Sequence, residues 1–306
     1  EDASTGANIG ISTAGSTKPV IFEADSKSLS VTSKASGEAK GISATGNNVE
    51  INGAGYVTIE ATSTNGSASA IYASGKDVTI ESSETVKLIA TGGTGAVLHA
   101  AAGSNVNIDG KVEIDNKDKV AIEVANGATV NIGGGVIDAG KEGTAIVVTG
   151  DDSKVVVNTD VTGESKKNGL KIKGDIQIGE VPASTFDLKR SIMLLASGNK
   201  PSGEFTFDGV EDTWEGDYIG ANDATLVLAL KNGATWTGAK ESNGNLDLTI
   251  ETNGTWKNTS DNATTVTTLS GKGGFVEMSE AENADITVNK YSGSTTSTAN
   301  SYRSSR

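Results

Sequence analysis

The sequence predicts an all-β chain, a right-handed parallel β-helix (β-solenoid) with about three strands per coil and a C-terminal cap. Three observations predict it. The 306 residues include 39 glycines, 3 prolines and 4% aromatics, with Ser, Thr, Asn, Val and Ile filling much of the rest, which suits short strands joined by tight turns. A strand motif returns in one register: "NNVEI", "KDVTI", "SNVNI", "ATVNI" and "SKVVV" place Val49, Val78, Val106, Val130 and Val155 at separations of 29, 28, 24 and 25 residues. Two further apolar runs accompany that motif in the early units, so each unit reads as three strands. Antiparallel hairpins would also give short strands at regular spacing, but a motif returning in a single register belongs to a parallel coil, whose crossovers are right-handed.

Taken in order, each unit opens with a short apolar run ahead of a glycine: "GISATG" (41–46), "AIYASG" (70–75), "VLHAAAG" (97–103), "AIEVANG" (121–127), "AIVVTG" (145–150) and "GLKIKG" (169–174). The Val motif follows, and alternation turns Val49/Ile51, Val78/Ile80, Val106/Ile108 and Val130/Ile132 inward. Glu50, Thr79, Asn107 and Asn131 then form an outward ladder, with rungs about 4.8 Å apart. The third run is "YVTIEA" (56–61), "TVKLIA" (85–90) and "KVEI" (111–114). At this repeat length the chain would make about a dozen coils and a rod on the order of 55 to 60 Å.

Regular coils are expected over 1–180, irregular coils or an insertion over 181–225, and a cap over 226–306. Pro182, "SIMLLASG" (191–198) and "KPSGEFTFDG" (200–209) interrupt the register, and Trp214, Trp236 and Trp256 all lie beyond the regular part. A solenoid end exposes strand edges and an open core, so bulky residues near one terminus suit a cap. Exposed aromatics would instead offer a carbohydrate platform, although aromatic residues in strands usually pack inward.

In this tail "LKNGATWTG" (230–238), "IETNGTWKNTS" (250–260), "VTTLSGKGGFVEM" (266–278) and "DITVNKYSGS" (285–294) resemble the C-terminal end of autotransporter passenger domains, with a pertactin-like autochaperone region. The likeness lies in the order of the motifs: an Asn-Gly-x-Trp strand recurring about one coil apart, a Leu-x-Gly-x-Gly-Gly segment and a closing strand. It marks Trp236, Trp256, Leu269 and Phe275 as structural cap residues, with Gly271, Gly273 and Gly274 between the last two. The resemblance covers roughly the last 80 residues closely, and the remainder only as a degenerate β-solenoid. It implies a passenger exported across the outer membrane of a diderm bacterium, exposed at the cell surface or extracellular. It also implies a C-terminal translocator barrel, absent from this chain, and a tail that nucleates folding.

Charge and composition narrow the partners. The chain carries 25 Lys and Arg against 39 Asp and Glu, a net charge of −14, which argues against nucleic acid and anionic membranes, since both need concentrated positive charge. There is no cysteine, hence no disulfide or thiolate metal site. No apolar run approaches the roughly 20 residues of a membrane-spanning helix. The sequence opens at Glu1 without Met or a charged-then-apolar leader, as expected of a processed or excised passenger.

Candidate chemistry is thin. His99 is the only histidine, and with Leu98 and Ala100 inward it falls on the surface without a nucleophile elbow. The Gly-Asp-Ser-Gly and Gly-Asp-Ser-Leu signatures of protease and lipase passengers are missing. A glycosidase needs two carboxylates about 5 to 9.5 Å apart; Asp151 and Asp152, followed by Asp160 and Glu164, are the nearest candidates, and adjacent acids after a glycine more often form a turn. A lyase further wants a basic group, and no Arg precedes Arg190. Asp109, Asp115 and Asp118 could offer oxygens to calcium, without the spacing of a helix-loop-helix site. The sequons at Asn65, Asn253, Asn258 and Asn262 follow from an Asn/Ser/Thr-rich composition.

No catalytic residue, cofactor or metal is therefore expected, and the resemblance to autotransporter passengers implies an adhesin with no enzymatic activity. Its partners would be a host-cell or bacterial surface receptor, protein or glycan, or a second copy of itself in aggregation and biofilm. A polysaccharide-degrading enzyme and a non-binding stalk remain the alternatives. The segment "ATSTNGSASA" (61–70) is the loop singled out for contact, because loops on rigid scaffolds often carry function.

Overall fold

A computed structural model describes residues 7–25, 27–116, 120–141, 143–159, 169–179, 200–279, 281 and 283–293. The described residues are all-β, without a helix. Every pairing between named strands is parallel. Successive strands return to three long stacks, the arrangement that a β-solenoid requires.

The first stack is a nine-stranded sheet running from Asn8–Ser12 to Lys240–Glu241. The second runs from Val20–Glu23 to Ile286–Gly293, and the third from Leu29–Ala35 to Phe275–Glu277. The second and third are continuous in two units, where the long strands Val78–Thr91 and Asn105–Asp115 serve both. The three separate runs expected there thus merge into two strands. A register shift between Asp109 and Lys111 marks the corner, and Gly110, at φ +151, takes it without a Cβ that would lie 2.8 Å from the Ser82 carbonyl oxygen.

The expected inward and outward positions hold. Val49, Val78, Val106, Val130 and Val155 align in one column and Ile51, Ile80, Ile108, Ile132 and Val157 in the next, all buried. Glu50, Thr79, Asn107 and Asn131 align on the outer side of the same strands. In the first stack Ile42, Ile71, Leu98, Ile122, Ile146, Ile176 and Tyr218 form the core column. Parallel stacking puts like on like, so one apolar residue in each unit is enough to build a continuous core.

The register continues beyond the regular part. Ser202–Asp208 pairs with Lys154–Val157 on one side and Thr225–Lys231 on the other, so the described part of 181–225 rejoins the same stacks. Pro182, "SIMLLASG", Asp118, Asp160 and Glu164 lie outside the described residues.

The sheet that ends first does so on a charge. Lys240 stacks in register on Tyr218, is buried, and donates from Nζ to the Ser242 carbonyl oxygen at 2.8 Å. Burial lowers the lysine's proton affinity below the ordinary range because the charged form loses solvent. Burial also raises the affinity of neighbouring Glu241 for its proton, with the charge of Asp217 adding to the effect.

Candidate functional site

The third stack carries the tryptophans. Its inner column runs Ile59, Leu88, Ile114, Ile137, Ile172, Trp214, Trp236, Trp256 and Val276. The three indoles lie ring on ring, with centroids 4.7 and 4.8 Å apart and planes within 6° and 4° of parallel. Each Nε1 donates to a glycine carbonyl on the preceding rung: Trp214 to Gly174, Trp236 to Gly216 and Trp256 to Gly238, all at 3.0 Å. Bare glycines leave room for the ring edge; a Cβ on Gly238 would stand 2.8 Å from the Trp236 nitrogen and 1.9 Å from the Gly216 carbonyl oxygen. "TWEG" (213–216) and "TWTG" (235–238) encode the arrangement, a repeat that makes Trp214 the third member alongside Trp236 and Trp256.

The marked cap residues divide. Trp236 and Trp256 are fully enclosed core, so they present no ring face to a sugar. Leu269 stacks between Leu248 and Tyr291 and packs against the core. Phe275 sits on the outer side of its strand, 46% exposed, while its neighbour Val276 takes the place above Trp256.

Phe275 thereby ends an outward column rather than an inward one. Thr213, Thr235, Thr255 and Phe275 occupy successive rungs on the outer face of the third stack, and all are at least partly open to solvent. The next outward column holds Lys173, Glu215, Thr237, Lys257 and Glu277, in which acid and base alternate and Lys257 lies 4.0 Å from Glu277. Alternation across the pleat forces this: with every tryptophan inward, both threonines of "TWT" must face out.

A second cluster crosses the first stack. Glu38 pairs with Lys40 at 3.0 Å, the Lys40 ammonium lies 3.8 Å from the centre of the Tyr72 ring, Tyr72 stacks on His99 at 4.9 Å, and His99 Nδ1 meets Glu123 Oε2 at 3.0 Å. His99 therefore faces outward between inward Leu98 and Ala100, as the alternation predicts. Its hydrogen bond holds the Glu123 carboxyl below the usual carboxylate range. A groove of about 310 Å³ beside Glu123 is lined by Gly93, Thr94, Gly95, Ala96, Val120 and Val147.

The other candidates stay dispersed. Asp151 and Asp152 form the turn after Thr149, with Asp152 at φ +59. Asp109 and Asp115 sit on opposite arms of a bent strand, and no acid or histidine cluster suited to a metal ion occurs among the described residues. The segment expected as a loop, 61–70, is mostly strand: only 64–67 connect Val57–Ser63 to Ala68–Ser74, and Thr64 and Asn65 alone are exposed. No protein-family model, curated protein or solved structure matches the chain.

Proposed function

We propose that this chain is the passenger of a bacterial autotransporter and acts as an adhesin, exposed at the cell surface after export through a C-terminal translocator barrel. In this reading the three stacks wind as a right-handed β-helix of about a dozen coils. The tail from 226 onward is its cap and folding nucleus. The observation that carries the reading is the set of outward columns held in strict register, such as Thr79, Asn107 and Asn131, in which Asn131 Nδ2 donates to Asn107 Oδ1 at 2.6 Å. Such columns set polar groups at strand spacing, and many weak contacts on a rigid support add to firm attachment. The ordered motifs of the tail, from Trp236 to Phe275, support the class.

Binding of the fluorescently labelled chain to epithelial cells and to neighbouring bacteria, read by flow cytometry, tests it. Saturable binding is expected. A chain that bound no cell, and did not aggregate with itself, would be a stalk or an enzyme, and release of new reducing ends from polysaccharides would separate those two.

A further inference from the structure

The outer face of the third stack suits one ligand chemistry. Thr213, Thr235 and Thr255 present hydroxyls on three successive rungs, and Phe275 presents an exposed ring on the fourth. Thr255 makes a long local bond, Oγ1 to the Asn253 carbonyl oxygen at 3.4 Å; Thr237 adds a fourth hydroxyl in the adjacent column. Behind them the stacked indoles fix the strands from within, so the backbones that carry the threonines are held in line before any ligand arrives. That preorganisation lowers the cost of binding.

We infer that this strip binds a neutral, extended polysaccharide of β-linked pyranoses, laid along the column of threonines with one sugar against Phe275. The inference deepens the adhesive reading and rests on it. Rungs about 4.8 Å apart come close to the advance per sugar of a fully extended pyranose chain, so consecutive sugars each meet one threonine, alternate sugars by opposite edges. Threonine hydroxyls both donate and accept, as sugar hydroxyls do, and an aromatic face covers the apolar C–H face of a pyranose.

Charge selects the neutral polymer. The flanking column alternates Lys173, Glu215, Lys257 and Glu277, which offers no excess of either sign, and the chain's net charge of −14 repels a polyanion. A peptide strand adding by its backbone could reach only the terminal strand Phe275–Glu277, whereas the strands that carry Thr213, Thr235 and Thr255 are paired on both sides. A folded protein partner would want a broad apolar centre, and the strip offers one large apolar side chain.

Affinity electrophoresis of the whole chain through gels containing hydroxyethylcellulose, glucomannan or polygalacturonate tests the strip. Retardation is expected in one or both neutral polymers and none in polygalacturonate. Replacing the three threonines together (Thr213→Val, Thr235→Val, Thr255→Val) keeps shape and strand preference, and should weaken retardation about tenfold with circular dichroism unchanged. Phe275→Ala, at a site outside the buried core, should weaken it as well with circular dichroism unchanged, and Thr58→Val, far along the same stack, should leave it intact. Migration unaffected by both neutral polymers, or undiminished retardation of the valine and Phe275→Ala variants, overturns the strip. Cell binding by the same variants separates the two readings: if it persists while neutral polysaccharide is ignored, the strip fails and adhesion stands, and if both are absent, both fail.

Discussion

His99 shows how much a single register can decide. Parallel stacking sets Tyr72, His99 and Glu123 on consecutive rungs, so the ring packs on tyrosine while Nδ1 faces a carboxylate. Because the hydrogen bond from His99 lowers the folded proton affinity of Glu123 from its ordinary 4.5, the contribution is fully present above that pH and disappears as pH falls through the lower folded value. Glu123→Gln keeps the shape and removes the titration. Its unfolding free energy from urea titration should match the parent well below pH 4.5 and fall short at neutral pH, by about 0.5 kcal/mol or less, because the pair is partly open to solvent. An equal deficit at both pH values would mean that packing, not the hydrogen bond to its charged carboxylate, is what the glutamate supplies.

The element that best explains the tail is the indole column. Its members follow Ile172 in the same inward position, so tryptophan here is a larger version of the aliphatic residue used by earlier rungs. Trp236→Ala removes the middle ring and should cost about 3 to 5 kcal/mol, as large-to-small core changes do. Trp236→Phe keeps much of the packing but separates the two remaining indoles, so the exciton couplet expected in circular dichroism from rings 4.7 and 4.8 Å apart should collapse. A loss of only one third of the signal would show that the rings do not couple. Much of the register was legible: alternation placed Val49, Ile51 and His99 correctly in the first two stacks, and the Asn-Gly-x-Trp recurrence pointed to Trp236 and Trp256 in the third. Phe275 was harder to place, because a strand of three residues, Phe275–Glu277, is too short for alternation to tell its faces apart, and pairing of Val276 with Trp256 decided it. Lys240 ran against the rule that charge faces water; its neighbour Glu241 faces out instead, since Lys240 must follow Tyr218 in register.

At the scale of the whole molecule, each rung touches mainly its neighbours, so stability is close to a sum along the stack and need not be lost in one step. The sum is uneven. From Val49 to Ile178 the core is Val, Ile, Leu and Ala, whereas Phe205, Phe207, Trp214, Tyr218, Trp236 and Trp256 are buried together further on, and aromatic side chains bury more area and gain stacking energy. The aliphatic rungs should therefore open first. Urea unfolding followed by far-ultraviolet circular dichroism, which averages all strands, should begin at lower denaturant than unfolding followed by tryptophan fluorescence, which reports 214–256 alone. Trp236→Ala should draw the fluorescence midpoint back toward the other. Superimposable transitions in the parent chain would show instead that coupling between neighbouring rungs exceeds the difference between aliphatic and aromatic cores, and that the stack folds as one unit.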